Sequence, residues 1–393
     1  MSKTGLTITD IRCFPMQGPG RTLVVVAVDT DGGISGVGEA GLQRRPLAIA
    51  GAIESLKRVL IGQEASRIEH LWQTVFRGGF YPADRIIGSA LAAIDTALWD
   101  IKGKALGVPV YELLGGRVRD RIECYPHLPD AGVRSSAASG EPDLDGLIDE
   151  CRRAVADGWR FLRFAPLGHD NVIESGAAAR SLLRNVAAVR EAMGPDVELL
   201  IDIHTRLDPV DAIWFCSAVE PYHPFFVEDP FRSENPEPYR RLRQQSRVPI
   251  AAGEQFASKW EFRPFIEDEL IDYARIDVCI AAGITEAKKI AGWAETHYIE
   301  VVPHNPLGPV STAVGVQLGM AISNFAVQEL PWMPGAMLPD VFPIQPPFER
   351  GCFLPPTRPG LGIEFDREAA KKYPFEFTEP PHFRRRDGTF HNQ

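Results

Sequence analysis

The run Leu199-Leu200-Ile201 is apolar enough to be a buried strand, and it stops in Asp202-Ile203-His204. Side chains alternate faces along a strand, so residues two apart share one face. The spacing therefore predicts a carboxylate and an imidazole side by side at a strand tip. Similar tips recur downstream. "FFVEDP" carries Glu228, "VPIAAGE" Glu254, "YARID" Asp277, "IEVVPH" His304 and "NFAVQE" Glu329. Successive tips lie roughly 25 residues apart, the length of one strand-helix unit with its loops. Asp202, Glu228 and Glu254 fall on three successive strands, and three converging carboxylates repel one another unless a cation sits among them. Oxygen-only donors, with no cysteine in the trio, favour Mg2+ over zinc. Asp277 and His304 fall on neighbouring strands. A carboxylate bonded to one ring nitrogen sets the tautomer and raises the basicity of the other, which describes a general base.

These tips need a scaffold that delivers them to one end. From about Arg119, short apolar segments alternate with amphipathic ones such as "ESGAAARSLLRNVAAVREAMG" and "GITEAKKIAGWAETH". Eight strand-like segments, beginning with "RIECY" and "FLRFAP", precede residue 341. That order predicts an α/β fold of (β/α)8-barrel type, whose chemistry lies at the C-terminal ends of the strands. Residues 1–118 read as a separate α+β domain. "TLVVVAVDTDGGISGVGEAG" contains two strands joined at Asp31-Gly32-Gly33, a hairpin signal rather than a phosphate loop. Leu91, Ile94, Leu98 and Ile101 recur at helical spacing, and Gly107 and Pro109 stop that helix. Residues 119–341 form the expected barrel domain. Residues 342–393, rich in proline and aromatics, are expected to pack back on the first domain. "RSSAASGEPDLDG" reads as a surface loop, and the basic run "HFRRRDG" (382–388) as a solvated tail.

At 393 residues the chain suits two domains, and its 45% hydrophobic and 24% charged residues are those of a globular protein. A net charge of -10 leaves no basic surplus to meet nucleic acid. The six cysteines form no Cys-x-x-Cys pair and are scattered, which fits reduced thiols in the cytoplasm. No apolar run suggests a membrane span, and the N-terminus lacks the apolar core of a signal peptide. The expected partner is a small-molecule acid, with a homo-oligomer as the assembly.

With these motifs in view, the chain resembles the enolase superfamily, in its mandelate-racemase branch and the acid-sugar dehydratases of D-galactonate and mannonate type. The likeness rests on "GVGEAG", "ALAAIDTALWDIKGKALGVPVYELLGG", "DIH", "VEDP", "AAGEQ", "RIDVCIAAGITEAKKIA", "VPHNPLGP" and "PGLGIEFD". It implies that Asp202, Glu228 and Glu254 bind Mg2+, and that Asp277 and His304 form the dyad that takes the proton α to the substrate carboxylate. It implies that Glu329 hydrogen-bonds the substrate or the enediolate, and that His204 protonates the departing 3-hydroxyl. The product would be a 2-keto-3-deoxy acid. The pairing of a His or Lys base with Mg2+ is a general property of enolase-superfamily sites.

Departures are confined to the substrate contacts. The second strand carries Arg163-Phe164-Ala165 where lysine-base relatives have Lys-x-Lys, and Ala165 removes a polar contact of galactonate dehydratases. Arg163, Arg21 and Arg45 are the candidate substrate-binding cations, with Arg44 beside them. A racemase or epimerase of a 2-hydroxy acid is the alternative, although the second-strand lysine that would face the other side of the α-carbon is missing. A catalytically silent binding relative is a third reading, against which all seven polar positions are retained.

Overall fold

The computed structural model describes residues 6–42, 44–128, 144–164, 172–377, 379 and 382–392. Ala165 and most of the "RSSAASGEPDLDG" segment lie outside them. The chain opens with an antiparallel sheet, β1 (Ile8–Gly18), β2 (Arg21–Thr30) and β3 (Ser35–Glu39), in that spatial order. Helices α1 (Pro46–Leu60), α2 (Ile68–Arg77), α3 (Arg85–Leu106) and the short α4 (Val110–Leu113) follow. Asp84 caps α3 by accepting from the Ile86 and Ile87 amides, and Gly107 ends it at φ 72°. A Cβ on Gly36 or Gly38 would lie 2.0 Å and 1.9 Å from carbonyl oxygens of α3. Glycine at these two positions lets β3 lie directly on the helix, so these glycines serve packing.

Eight strands then alternate with helices among the described residues. They run β4 (Ile122–Pro126), α5 (Leu144–Ala156), β5 (Phe161–Phe164), α6 (Ser175–Met193), β6 (Glu198–Asp202), α7 (Pro209–Val219), β7 (Phe226–Glu228) and α8 (Glu237–Gln245). They continue through β8 (Ile250–Ala252), α9 (Lys259–Glu267), β9 (Tyr273–Ala274), α10 (Ile284–Glu295), β10 (Glu300–Val301), α11 (Pro309–Ala321) and β11 (Gln328–Leu330). All eight segments read as strands from the sequence are strands. Two short strands, β12 (Phe348–Glu349) and β13 (Cys352–Phe353), and α12 (Arg367–Ala370) come last. No described helix is long and apolar enough to cross a membrane.

The chain divides into two compact units. One comprises Met1–Glu123, Glu254–Arg263 and Ile276–Thr378; the other comprises Cys124–Gly253, Pro264–Arg275 and Glu379–Gln393. Within the first unit, buried polar groups tie later segments to the N-terminal domain. Trp72 Nε1 donates to Ala282 O (2.8 Å), and Asp95 accepts from the Thr285 amide (3.0 Å) and hydroxyl (2.5 Å). Asp100 accepts from the amides of Val37 (3.0 Å) and Leu361 (2.9 Å).

In the second unit β5 to β9 pair in parallel, each with the next. Their near-continuous apolar runs suit strands covered on both faces. The register sets Asp202 directly opposite Glu228.

The C-terminal segment divides its attachments. Arg367 Nη2 meets Asp29 Oδ1 at 2.6 Å, and the Phe365 ring meets Phe14 edge-on at 5.2 Å, both in the first unit. Residues 382–392 instead join the second unit. Arg384 bridges in parallel to Val172 and antiparallel to Phe390. The basic run is thus solvent-exposed, as expected, but it is also half of a hairpin whose amides and three arginines find partners.

Candidate active site

The candidate residues fall into two groups, one in each unit. The first unit resumes at Ile276, two residues after β9 ends, and the chain turns sharply there. Asp277 directs that turn: its Oδ1 accepts the amides of Cys279 (2.8 Å) and Ile280 (3.1 Å). Its Oδ2 lies 2.9 Å from His304 Nδ1. Asp277 is fully buried, and both of its oxygens act as acceptors, so Nδ1 carries the proton and Nε2 is the ring atom that exchanges one. His304 follows β10 by three residues and is held there by its own amide, which donates to Ile276 O at 3.1 Å. Its Nε2 stands 3.4 Å from Glu254 Oε2. Burial lowers the imidazole pKa. The charge on Glu254, the hydrogen bond to Asp277 and the charges on Glu329 and Asp277 outweigh burial and raise it to about 9.

Glu329 lies within β11, and its Oε2 accepts the Asn305 amide at 2.8 Å. The residue after His304 is therefore fastened to the eighth strand. A second carboxylate fastens the far end of the same loop. Glu39, at the end of β3 and fully buried, accepts from the amides of Gly308 and Ser311, each at 2.9 Å. Those amides open α11, where a carboxylate is electrostatically favoured. Burial pushes Glu39 up to about 7.

In the second unit, Asp202 and Glu228 end adjacent parallel strands, each only 1% exposed. A half-buried arginine and a buried one neutralise them. Arg163 donates to Asp202 Oδ2, and Arg275 donates to Glu228 Oε1. Burial pushes the Asp202 carboxyl upward, but the charges of Arg163, His204, Arg206 and Arg275 overcome this and leave it below the usual carboxylate range. Asp202 Oδ1 is buried with no hydrogen-bond partner among the described residues. A buried, unsatisfied carboxylate oxygen beside another buried carboxylate suits a bound cation. Asp229 adds a further carboxylate oxygen within 4.8 Å of one on Glu228.

His204 stands near Asp202, but not for the reason that alternation suggests. β6 ends at Asp202, and His204 and Thr205 adopt φ of 55° and 59°. The left-handed turn, not strand pleating, sets the imidazole's direction. Each such non-glycine residue costs roughly 1–2 kcal/mol, more for a β-branched side chain such as Thr205. Backbone bonds hold the turn: Ile203 N donates to Glu228 O and Thr205 N to Asp229 O, both at 2.9 Å.

Arg163 is engaged with Asp202. Arg45 is exposed and donates to the carbonyl of Arg44 (2.8 Å). Arg21 is half-buried, within electrostatic reach of Glu39. The reading of the sequence assigned no role to Arg275, Asp229 or Glu39. An arginine inside the apolar run "YARID" was the available signal, since a buried guanidinium requires an anion. For Glu39 there was none, because its partners are backbone amides about 270 residues away.

Two family models match the chain. Residues 17–115 match the mandelate racemase / muconate lactonizing enzyme N-terminal domain, and residues 146–370 match the enolase C-terminal domain-like family. A D-galactonate dehydratase of Ralstonia nicotianae is 39% identical over 86% of this chain and 87% of its own length. A D-mannonate dehydratase of Caulobacter vibrioides is 35% identical over 95% of this chain and 96% of its own. The crystal structure of an enolase from Pantoea ananatis with bound D-gluconate and Mg superposes with a TM-score of 0.90 at 35% identity, covering 99% of this chain and all of that one.

Proposed function

Because the chain belongs to the enolase superfamily, with the α+β N-terminal domain and (β/α)8-type barrel of its mandelate racemase / muconate lactonizing branch, we propose that it dehydrates an acid sugar. The substrate class is an aldonic acid of D-galactonate type, and the product is a 2-keto-3-deoxy acid. Asp202, Glu228 and Glu254 are the residues that would hold Mg2+. The buried, unsatisfied Asp202 Oδ1 supports that reading. When bound, Mg2+ offsets the negative charge that grows on the substrate carboxylate as the α-proton leaves.

The observation that carries the proposal is the 2.9 Å Asp277–His304 contact. It presents His304 Nε2 as the atom that takes the α-proton, while Asp277 stabilises the imidazolium. Glu329 holds the His304 loop through the Asn305 amide and adds negative charge near the imidazolium. His204, set by the left-handed turn after Asp202, is the acid that delivers a proton to the leaving 3-hydroxyl. Arg163 and Arg275 orient two buried carboxylates. The acidic balance and free cysteines fit a cytoplasmic enzyme.

The test is an assay for 2-keto-3-deoxy acid formation across a panel of aldonic and aldaric acids with added Mg2+. Turnover of one or more aldonic acids is expected. Interconversion of α-epimers with no keto-acid from any member would sink the dehydratase reading.

A further inference from the structure

The basic run "HFRRRDG" has no part in the mechanism above, yet it is built into the second unit. Residues 383–391 fold back at Asp387-Gly388, where Gly388 takes φ 88° and Thr389 N donates to Asp387 Oδ1 at 3.0 Å. Arg385 N donates to Thr389 O (2.8 Å) and His391 N to Phe383 O (2.9 Å), closing a hairpin. The Arg384 guanidinium lies 4.5 Å from the centre of the Phe390 ring.

One face of this hairpin grips the loop that leaves β6. Arg385 Nη2 reaches both carboxylate oxygens of Asp208 at 2.8 Å. His391 Nε2 donates to the Arg206 carbonyl at 2.8 Å. The Arg206 guanidinium lies 4.9 Å from the centre of the Phe383 ring. The other attachment is to the segment after β5: Ile173 N donates to Arg384 O (2.9 Å), and Arg386 N to Glu174 Oε1 (3.0 Å).

Arg206 and Asp208 immediately follow His204 and Thr205, the two consecutive positive-φ residues. A turn of that kind persists only where its surroundings over-determine it. Upstream it is pinned by the Glu228 and Asp229 carbonyls. Downstream the side-chain contacts from the hairpin complete the hold, beside the Ser175 hydroxyl that accepts the Asp208 amide at 2.8 Å.

We propose that the C-terminal hairpin is a positioning element for His204, keeping the left-handed turn that aims the imidazole. The proposal rests on the reading of His204 as the leaving-group acid. It assigns no contact between the hairpin and substrate.

The test uses full-length enzyme with Mg2+ and the aldonic acid that wild type turns over best. Arg385→Ala combined with His391→Ala should lower the kcat for dehydration about tenfold. Incorporation of deuterium at the α-carbon in D2O, which needs His304 but not His204, should stay within about twofold. That split is not what general destabilisation produces, since it would lower both rates together. Arg385→Lys should recover most of the loss, and Arg385→Ala with Asp208→Asn should be non-additive. If the double variant fails to fold, Arg385→Gln alone, at a half-exposed surface position, should lower dehydration about threefold with exchange retained. Dehydration within twofold of wild type in the folded double variant, or equal losses of exchange and dehydration, would overturn the proposal. His204→Asn serves as the control. If it dehydrates normally, the acid assignment falls and takes this proposal with it. If it is impaired while the hairpin variants are not, only the hairpin proposal falls.

Discussion

The two groups of candidate residues are held by different physics. Around His304 the side-chain restraints are centred on buried carboxylates: Asp277 on the ring, Glu329 on the next amide, and Glu39 on the start of α11. None of these requires a rare backbone conformation at His304 itself. Around His204 the carboxylates are balanced by arginines, and the imidazole depends on two non-glycine residues at positive φ. The base side is pre-set by acceptors that stay where they are. The acid side is a turn that is strained and must be held. Damage to the first should stop the reaction at its opening step, whereas damage to the second should let the reaction begin and fail to finish.

The sharpest break is removal of metal. Chelation should abolish turnover and added Mg2+ should restore it, and Glu228→Gln should not be rescued at ordinary Mg2+ concentrations. Full activity with metal content measured as zero would end this mechanism. Next is His304→Asn, expected to lower kcat roughly a thousandfold or more, because the group acts in the proton transfer itself. It should lose deuterium exchange and dehydration alike; near wild-type turnover would remove the dyad. His204→Asn should fall less, by roughly a hundredfold in dehydration, while still placing deuterium at the α-carbon. A variant with neither exchange nor dehydration would erase the contrast between the two sides.

The smallest effect on catalysis, and one read as stability, concerns Glu39. Its folded pKa of about 7 lies above the ordinary glutamate value of ~4.3. The folded state therefore holds a proton that the unfolded chain releases. The stabilisation is complete below pH ~4.3 and is lost as pH rises through about 7, on the order of 3 kcal/mol. Burial pushes Asp95 to about 7 in the same way, so the two share the slope. Urea midpoints at pH 5 and pH 7.5 should differ less in Glu39→Gln than in wild type. An unchanged difference would show that Glu39 is not the group that titrates.

Much of the site was legible because strand tips announce themselves. An apolar run that stops in an acid is unusual in one place and informative when it recurs at strand-helix intervals. Asp202, Glu228, Glu254, Asp277, His304 and Glu329 could all be selected on that ground. The eight strands were legible for the same reason, since buried parallel strands are short apolar runs. The pairing of Asp202 with His204 was selected by the right residues but the wrong geometry. Pleating was assumed for two residues past the end of β6, and nothing in "DIHTR" advertises a left-handed turn, because neither His204 nor Thr205 is glycine.

Composition and spacing by themselves determined the order of elements, the acidic and imidazole groups, and a chemistry that needs a cation and a base. Those follow from local properties: side-chain period, apolar run length and the charges each residue carries. Tertiary structure decided which groups restrain which. It gave Arg275 to Glu228 and Arg163 to Asp202, sent Glu39 to amides about 270 residues away, and turned a basic tail into a hairpin on the His204 loop. A buried charge or amide must find a partner wherever the fold brings one within reach, and that distance is written in three dimensions rather than along the chain.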